Sequence, residues 1–137
     1  MMPPKKVYEF GDVVKVQYRG GRPAVVVSAK SHNATALDLV LMQITTKEQH
    51  ALRSAAVVLD RWADYGLDEP SLVKPVVFSY DVDDVTYIGA LDERAKTDLR
   101  KALAKIFGIS TKVRSESDSS APEPPSGPTP VAPRKSS

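Results

Sequence analysis

The sequence contains no cysteine. Disulfides, thiol nucleophiles and thiolate-bound metals are therefore excluded. Histidine is nearly absent too, with only two in the chain. A zinc site is not expected from so few, and the spacing of His32 and His50 does not support the paired imidazoles of a metal-free ribonuclease. They read as loop residues. Neither sign of charge dominates: 19 Lys and Arg face 17 Asp and Glu, a net charge of +2. Binding to a polyanion would need a local patch rather than bulk charge. No apolar run approaches the roughly 20 residues of a membrane helix. The N-terminal MMPPKKVYEF also lacks the apolar core of a signal peptide. There is no phosphate-binding glycine loop of known spacing. The run Asp81, Asp83, Asp84 lacks the glycine and distal glutamate of a calcium loop. The expectation is a soluble, cytoplasmic chain with no membrane partner, no metal and no cofactor.

A further absence divides the chain. From Arg114 to Ser137 there is no aromatic residue, no Leu and no Ile, while six of the 11 prolines lie there. Such a segment cannot bury enough apolar surface to offset its ordering entropy. We expect one folded domain over residues 1–111 and a disordered Pro/Ser-rich tail over 112–137.

Strand signals dominate what remains. Val14, Val16 and Tyr18 alternate with Lys15 and Gln17, the pattern of a half-buried strand. Gly20 and Gly21 then supply a tight turn. AVVVS (24–28) and LDLVLMQI (37–44) are apolar runs whose β-branched content favours central strands. SAAVVLD (54–60), VKPVVFSYD and VTYIGAL are further strands. Pro75 must sit at an edge or a bulge, since it has no N–H to give to a ladder. DRWADYGLDEPSL is a turn-rich excursion with a short helix up to Gly66. One longer helix is predicted after Leu91. Asp92 is its N-cap, Ala95, Leu99, Leu103 and Phe107 form its apolar stripe, and Gly108 ends it. The fold class is mainly β (α+β), a small, strongly bent sheet or barrel with a C-terminal helix packed on it.

One charge stands out. Arg22 lies between Gly20-Gly21 and Pro23 at the mouth of an apolar strand. Pro23 disfavours helical geometry at the residue before it, so Arg22 is extended. The glycines have no side chains and allow close approach. A guanidinium presents a fork of donors that matches a phosphate, although a solvated hairpin arginine has the same sequence. A second feature closes the next apolar strand, where Thr45 and Thr46 follow Ile44. If the two strands pair, Thr45 comes within reach of Arg22. Thr45 or Thr46 with Glu48 also has the form of a helix capping box.

Taken in order, GDVVKV, GRPAVVVS, MQITT, the segment from Trp62 through Gly66-Leu67 to PSLVKP, and YIGALDE before a helix resemble the MazF/PemK toxin family. The resemblance spans roughly Tyr8 to Gly108. It implies the small SH3-like β-barrel shared by CcdB and PemK toxins, usually as a homodimer. It implies a metal-independent, sequence-specific endoribonuclease acting on single-stranded RNA. The 2′-hydroxyl would attack, leaving a 2′,3′-cyclic phosphate and a 5′-hydroxyl. A cognate antitoxin is the implied protein partner. The catalytic arginine of the family's RPAxVxS motif falls on Arg22, and the catalytic threonine of its IT pair falls on Thr45. Substrate contacts are expected from Arg19, Gly20, Gly21, Ser28 and Thr46. The departure is the first turn: YRGGR replaces what is usually a longer loop, and Arg19 is expected to take over some of its phosphate contact. The alternative is a non-catalytic barrel that binds a protein or nucleic acid, including a topoisomerase poison. The presence of both Arg22 and Thr45 favours cleavage.

Overall fold

The computed structural model describes residues 6–17 and 20–110. Tyr18, Arg19 and the segment expected to form the tail lie outside the described residues. Six strands form one antiparallel sheet: β1 (Asp12–Val16), β2 (Arg22–Val26), β3 (Asp38–Thr46), β4 (Val57–Leu59), β5 (Ser71–Asp81) and β6 (Val85–Ala90). Their order across the sheet is β4-β5-β3-β2-β1-β6. Two single-turn helices, α1 (Lys30–Asn33) and α2 (Gln49–Leu52), sit in connections, and the long helix α3 (Glu93–Phe107) follows β6. Among the described residues, no helix is long and apolar enough to cross a membrane.

The sheet is apolar on both faces because it bends around one core and is covered on the other side. Val13, Val25, Met42, Ile44 and Val73 pack with Leu91, Ala95 and Leu99 beneath α3. Val14, Val16, Ala24, Val26, Leu39 and Leu41 form a second cluster with Tyr8. Val13 and Val14 are neighbours in sequence and both are fully buried. β1 is therefore not the half-buried strand that its alternation predicts. It lies between β2 and β6, with a cluster on each face. Each buried Leu, Val or Met of this kind contributes roughly 1.5–3 kcal/mol.

The two ends of the sheet are brought together by a turn of 3-10 helix, Trp62–Tyr65, that follows edge strand β4 and packs against the opposite edge strand β6. Gly66 ends the turn in the left-handed region at φ +85°. A Cβ on Gly66 would overlap the Ile88 carbonyl oxygen, and one on Gly89 would overlap the Tyr65 carbonyl oxygen. Two backbones thus meet with no room for a side chain. The β1–β6 register also shifts here, pairing Val13 with Gly89 but Val14 with Tyr87, so Ile88 is the bulged residue. A six-stranded half-barrel results, closed by this contact.

The N-cap of α3 is Asp92, whose side chain accepts the Ala95 N–H, and Gly108 ends the helix at φ +68°. The apolar stripe fades along its length. Ala95 and Leu99 are buried and Leu103 packs on the core margin, but Phe107 is 57% exposed. The helix outruns the three-residue β4 beneath it, so its last turn has no strand to cover. Pro75 occupies a bulge, as a residue with no N–H requires. Met42 pairs with Val77 and Ile44 with Val73, leaving Lys74, Pro75 and Val76 across from Gln43 alone.

Candidate active site

The β2–β3 ladder pairs Val26 with Leu41, Val25 with Met42 and Ala24 with Gln43. Arg22 lies two residues before Ala24 and Thr45 two residues after Gln43, so both stand at the same end of these neighbouring strands. Arg22 is also held from its other side, where it pairs with Val16 of β1. Both residues line one cleft of about 360 Å³ at the end of the strands. Thr46, Gly21 and Lys15 line it with them, and Gly66 to Glu69 form the facing wall.

Gly21 has φ +88°, and a Cβ there would lie 2.9 Å from Lys15 Cδ. Glycine thus serves twice, permitting the turn and leaving room for the Lys15 stem. Lys15 is exposed and stands across from Pro23, next to Arg22. Among the described residues, neither cation has a carboxylate partner. Two unneutralised cations at one cleft make a local positive patch on a chain that is almost neutral overall. Asp68 and Glu69, also without an ion pair among the described residues, put negative charge on the opposite wall.

The other expected site residues are distributed differently. Gly20 has φ +80° and open space where a Cβ would stand, but it does not line the cleft. Thr46 does line it, and its hydroxyl donates to Glu48 Oε2 at 3.3 Å. No capping box forms, because both threonines belong to β3 and Glu48 itself is the N-cap of α2, without a side-chain cap. Ser28 does not line the cleft. It is buried, its Oγ donates to Asn33 Oδ1 at 2.6 Å, and it accepts the Val40 N–H at 3.0 Å. Its hydroxyl pins α1 to the sheet beyond the far end of β2. Arg19 lies outside the described residues. His32 and His50 are not brought to the cleft.

The facing wall is supported from behind. Tyr65 is buried and its hydroxyl donates to Asp92 Oδ2 at 3.1 Å, while Asp92 Oδ1 accepts the Ala95 N–H at 2.9 Å. Burial first, and then the adjacent Asp92 carboxylate, push the Tyr65 hydroxyl up to about 12. The Ala95 N–H, helped by the Tyr65 hydroxyl and Arg61, holds the Asp92 carboxyl below its ordinary range. The turn that leads into Gly66–Glu69 is thereby tied to the start of α3.

The sequence profile of the PemK-like, MazF-like toxins of type II toxin–antitoxin systems matches residues 8–107. This chain belongs to that family. Solved structures of the same fold include a mycobacterial endoribonuclease in complex with its cognate antitoxin. It is 18% identical with a TM-score of 0.65, over 79% of this chain and 100% of that one. A MazE–MazF complex from Deinococcus radiodurans is 17% identical with a TM-score of 0.63, over 77% and 100%. The Mycobacterium tuberculosis toxin MazF-mt6 is 21% identical with a TM-score of 0.61, over 72% and 98%. No curated protein sequence matches the chain. Set in this toxin fold, Lys15, Asp68 and Glu69 are the cleft residues that sequence reasoning missed. Lys15 was legible only as the polar phase of a strand. The two carboxylates lay in a segment read as a turn, and only the packing of Gly66 on β6 brings them opposite Arg22.

Proposed function

We propose that this toxin-family chain is a metal-independent endoribonuclease that cleaves single-stranded RNA, with Arg22 and Thr45 as its catalytic residues. The observation that carries the reading is that these two side chains stand at the same end of neighbouring strands and line one cleft with a second unpaired cation. The chemistry follows from the residue types. The ribose 2′-oxygen attacks the adjacent phosphorus, forming the P–O2′ bond as the P–O5′ bond breaks. The products are a 2′,3′-cyclic phosphate and a 5′-hydroxyl, the 5′-oxygen taking up a proton as it leaves. Arg22 stabilises the charge that builds on the nonbridging oxygens, and such electrostatic stabilisation commonly dominates catalysis. Thr45 donates a hydrogen bond to the same group and fixes its orientation. A guanidinium is a poor proton acceptor. Asp68 and Glu69 are the cleft groups whose chemistry suits taking the 2′-proton. Gly21 and Thr46 border the path of the RNA backbone, and Gly20 shapes the turn that keeps it open.

The family assignment and the antitoxin complexes of its structural neighbours support a cognate antitoxin as the protein partner and a homodimer as the working form. The test is cleavage of a long RNA by purified protein in excess chelator, repeated with Arg22→Ala and Thr45→Ala. Cutting at a short recurring sequence, reduced at least a hundredfold by either change, is the expected result. Equal cutting by Arg22→Ala, or cutting that requires a divalent ion, refutes the mechanism.

A further inference from the structure

A second pocket, of about 350 Å³, lies on the other side of Arg22 and Pro23. The two residues form the ridge between it and the charged cleft. Its walls are Val16, Val76, Phe78, Tyr80 and one amide, Gln43. The bulge in β5 makes the space. A regular ladder would set one residue across from Gln43, but three stand there, with Pro75 in the middle. The extra residues bow β5 away from β3 and leave a hollow. Phe78 and Tyr80, two residues apart on β5, meet edge to face on its wall, ring centroids 6.4 Å apart at 84°. Gln43 is half-buried, and among the described residues its amide makes no hydrogen bond to the protein. Its amide donor and acceptor are thus open to a ligand that enters the pocket.

The occupant must be flat enough to rest on aromatic walls, carry a hydrogen-bonding edge for Gln43, and be attached to an anion at Arg22. A nucleobase on its phosphodiester meets all three conditions, whereas an apolar peptide side chain meets only the first. Single-stranded RNA is recognised through unstacked bases that lie on aromatic side chains and are read along their edges. A glutamine amide offers both a donor and an acceptor to such an edge. Resting on the ribonuclease reading above, we propose that this pocket takes the base of the nucleotide whose phosphate is held at Arg22. Gln43 is then the residue that sets sequence preference at that position.

The experiment is to digest one long unstructured RNA with wild type, Gln43→Leu, Gln43→Glu and Phe78→Leu, and to sequence the cut ends. Each variant is first checked by thermal melting. Gln43→Leu is expected to lose about tenfold or more in base discrimination at one position of the cleavage motif, with the other positions unchanged. Gln43→Glu keeps the acceptors and loses the donors, so it shifts the preferred base at that same position. Phe78→Leu slows cutting whichever base stands there. Should Gln43→Leu fail to fold, the near-isosteric Gln43→Glu decides the matter. An identical motif in the folded Gln43 variants overturns the base pocket while leaving the ribonuclease reading intact. So does an unchanged motif with impaired antitoxin binding, which would hand the pocket to a peptide. A wild type that cuts no RNA overturns both.

Discussion

Replacing Gly89 with alanine puts a methyl group where the fold has none to spare. The new Cβ would overlap the Tyr65 carbonyl oxygen and sit 2.6 Å from its carbon, against roughly 3.5 Å for an ordinary contact between carbons. Backbone cannot swing aside as a side chain does, so the 62–65 turn and β6 must part by roughly 1 Å. Overpacking of this kind costs about 1–3 kcal/mol, and a backbone clash places it at the upper end. Two other glycines separate the clash from the backbone strain. Gly20, unlike Gly89, has positive φ but open space around it, so Gly20→Ala costs only the left-handed strain of about 1–2 kcal/mol. Gly66 has both problems, with φ +85° and the Ile88 carbonyl carbon 3.0 Å from where a Cβ would stand, so Gly66→Ala costs about 4 kcal/mol. Thermal melting reads the order directly. At about 5 °C per kcal/mol for a domain of this size, Gly20→Ala should melt lower by about 5–10 °C, Gly89→Ala by about 15 °C, and Gly66→Ala lowest of the three. The turn leads straight into the Gly66–Glu69 wall. Gly89→Ala should therefore also cut RNA more slowly at temperatures where it is fully folded. A Gly89→Ala protein that melts within 2 °C or so of wild type would refute the claim that the half-barrel is closed by backbone contact.

Other perturbations test the cleft and its support. Lys15→Gln should lower the slope of log affinity against log salt by about 0.7 for each phosphate that Lys15 neutralises, measured with a 2′-deoxy oligonucleotide that cannot be cut. An unchanged slope would remove Lys15 from the RNA path. The double change Asp68→Asn, Glu69→Gln should reduce kcat by about a hundredfold or more without weakening RNA binding, because it removes negative charge from a site for an anion. A rise in KM with kcat unchanged would rule these groups out as the proton acceptor. Tyr65→Phe should melt below wild type at neutral pH, and the gap should close as pH rises from 10 towards about 12. Below 10 the hydroxyl is protonated in both the folded and unfolded states, and its hydrogen bond to Asp92 contributes fully. Above 10 the unfolded tyrosine ionises first, and the contribution drains away through the folded value. A gap constant across that window would show that the hydroxyl is not held by Asp92.

The parts of this molecule legible in its sequence are those that depend on neighbouring residues. Pro23 and the Gly20-Gly21 pair define the entry to β2 through local backbone sterics, and Asp92 and Gly108 bound α3 by capping. That Arg22 and Thr45 come to one end of the sheet was legible because it needs only that two consecutive strands pair. The partners of Ser28 were illegible for the complementary reason. Its motif position resembles that of a surface residue, but its hydroxyl is claimed by Asn33 and by Val40 of the next strand, contacts with no local signature. The β1 pattern misled because alternation reports one buried face, and burial of the second face depends on which strands flank it. Lys15, Asp68, Glu69 and the Gln43 pocket depend on contacts of still longer range. The first three meet only once Gly66 and Gly89 dock the turn on β6, and the pocket exists only because three residues of β5 stand across from one of β3. Residues that come to one end of adjacent strands can thus be read from a line of letters, whereas the groups that line a cleft across a bent sheet become visible only when its two ends meet. In this chain that closure comes down to two glycines, one of them in YIGALDE. They carry no functional group themselves, yet they hold in place the wall that sets Asp68 and Glu69 at the cleft.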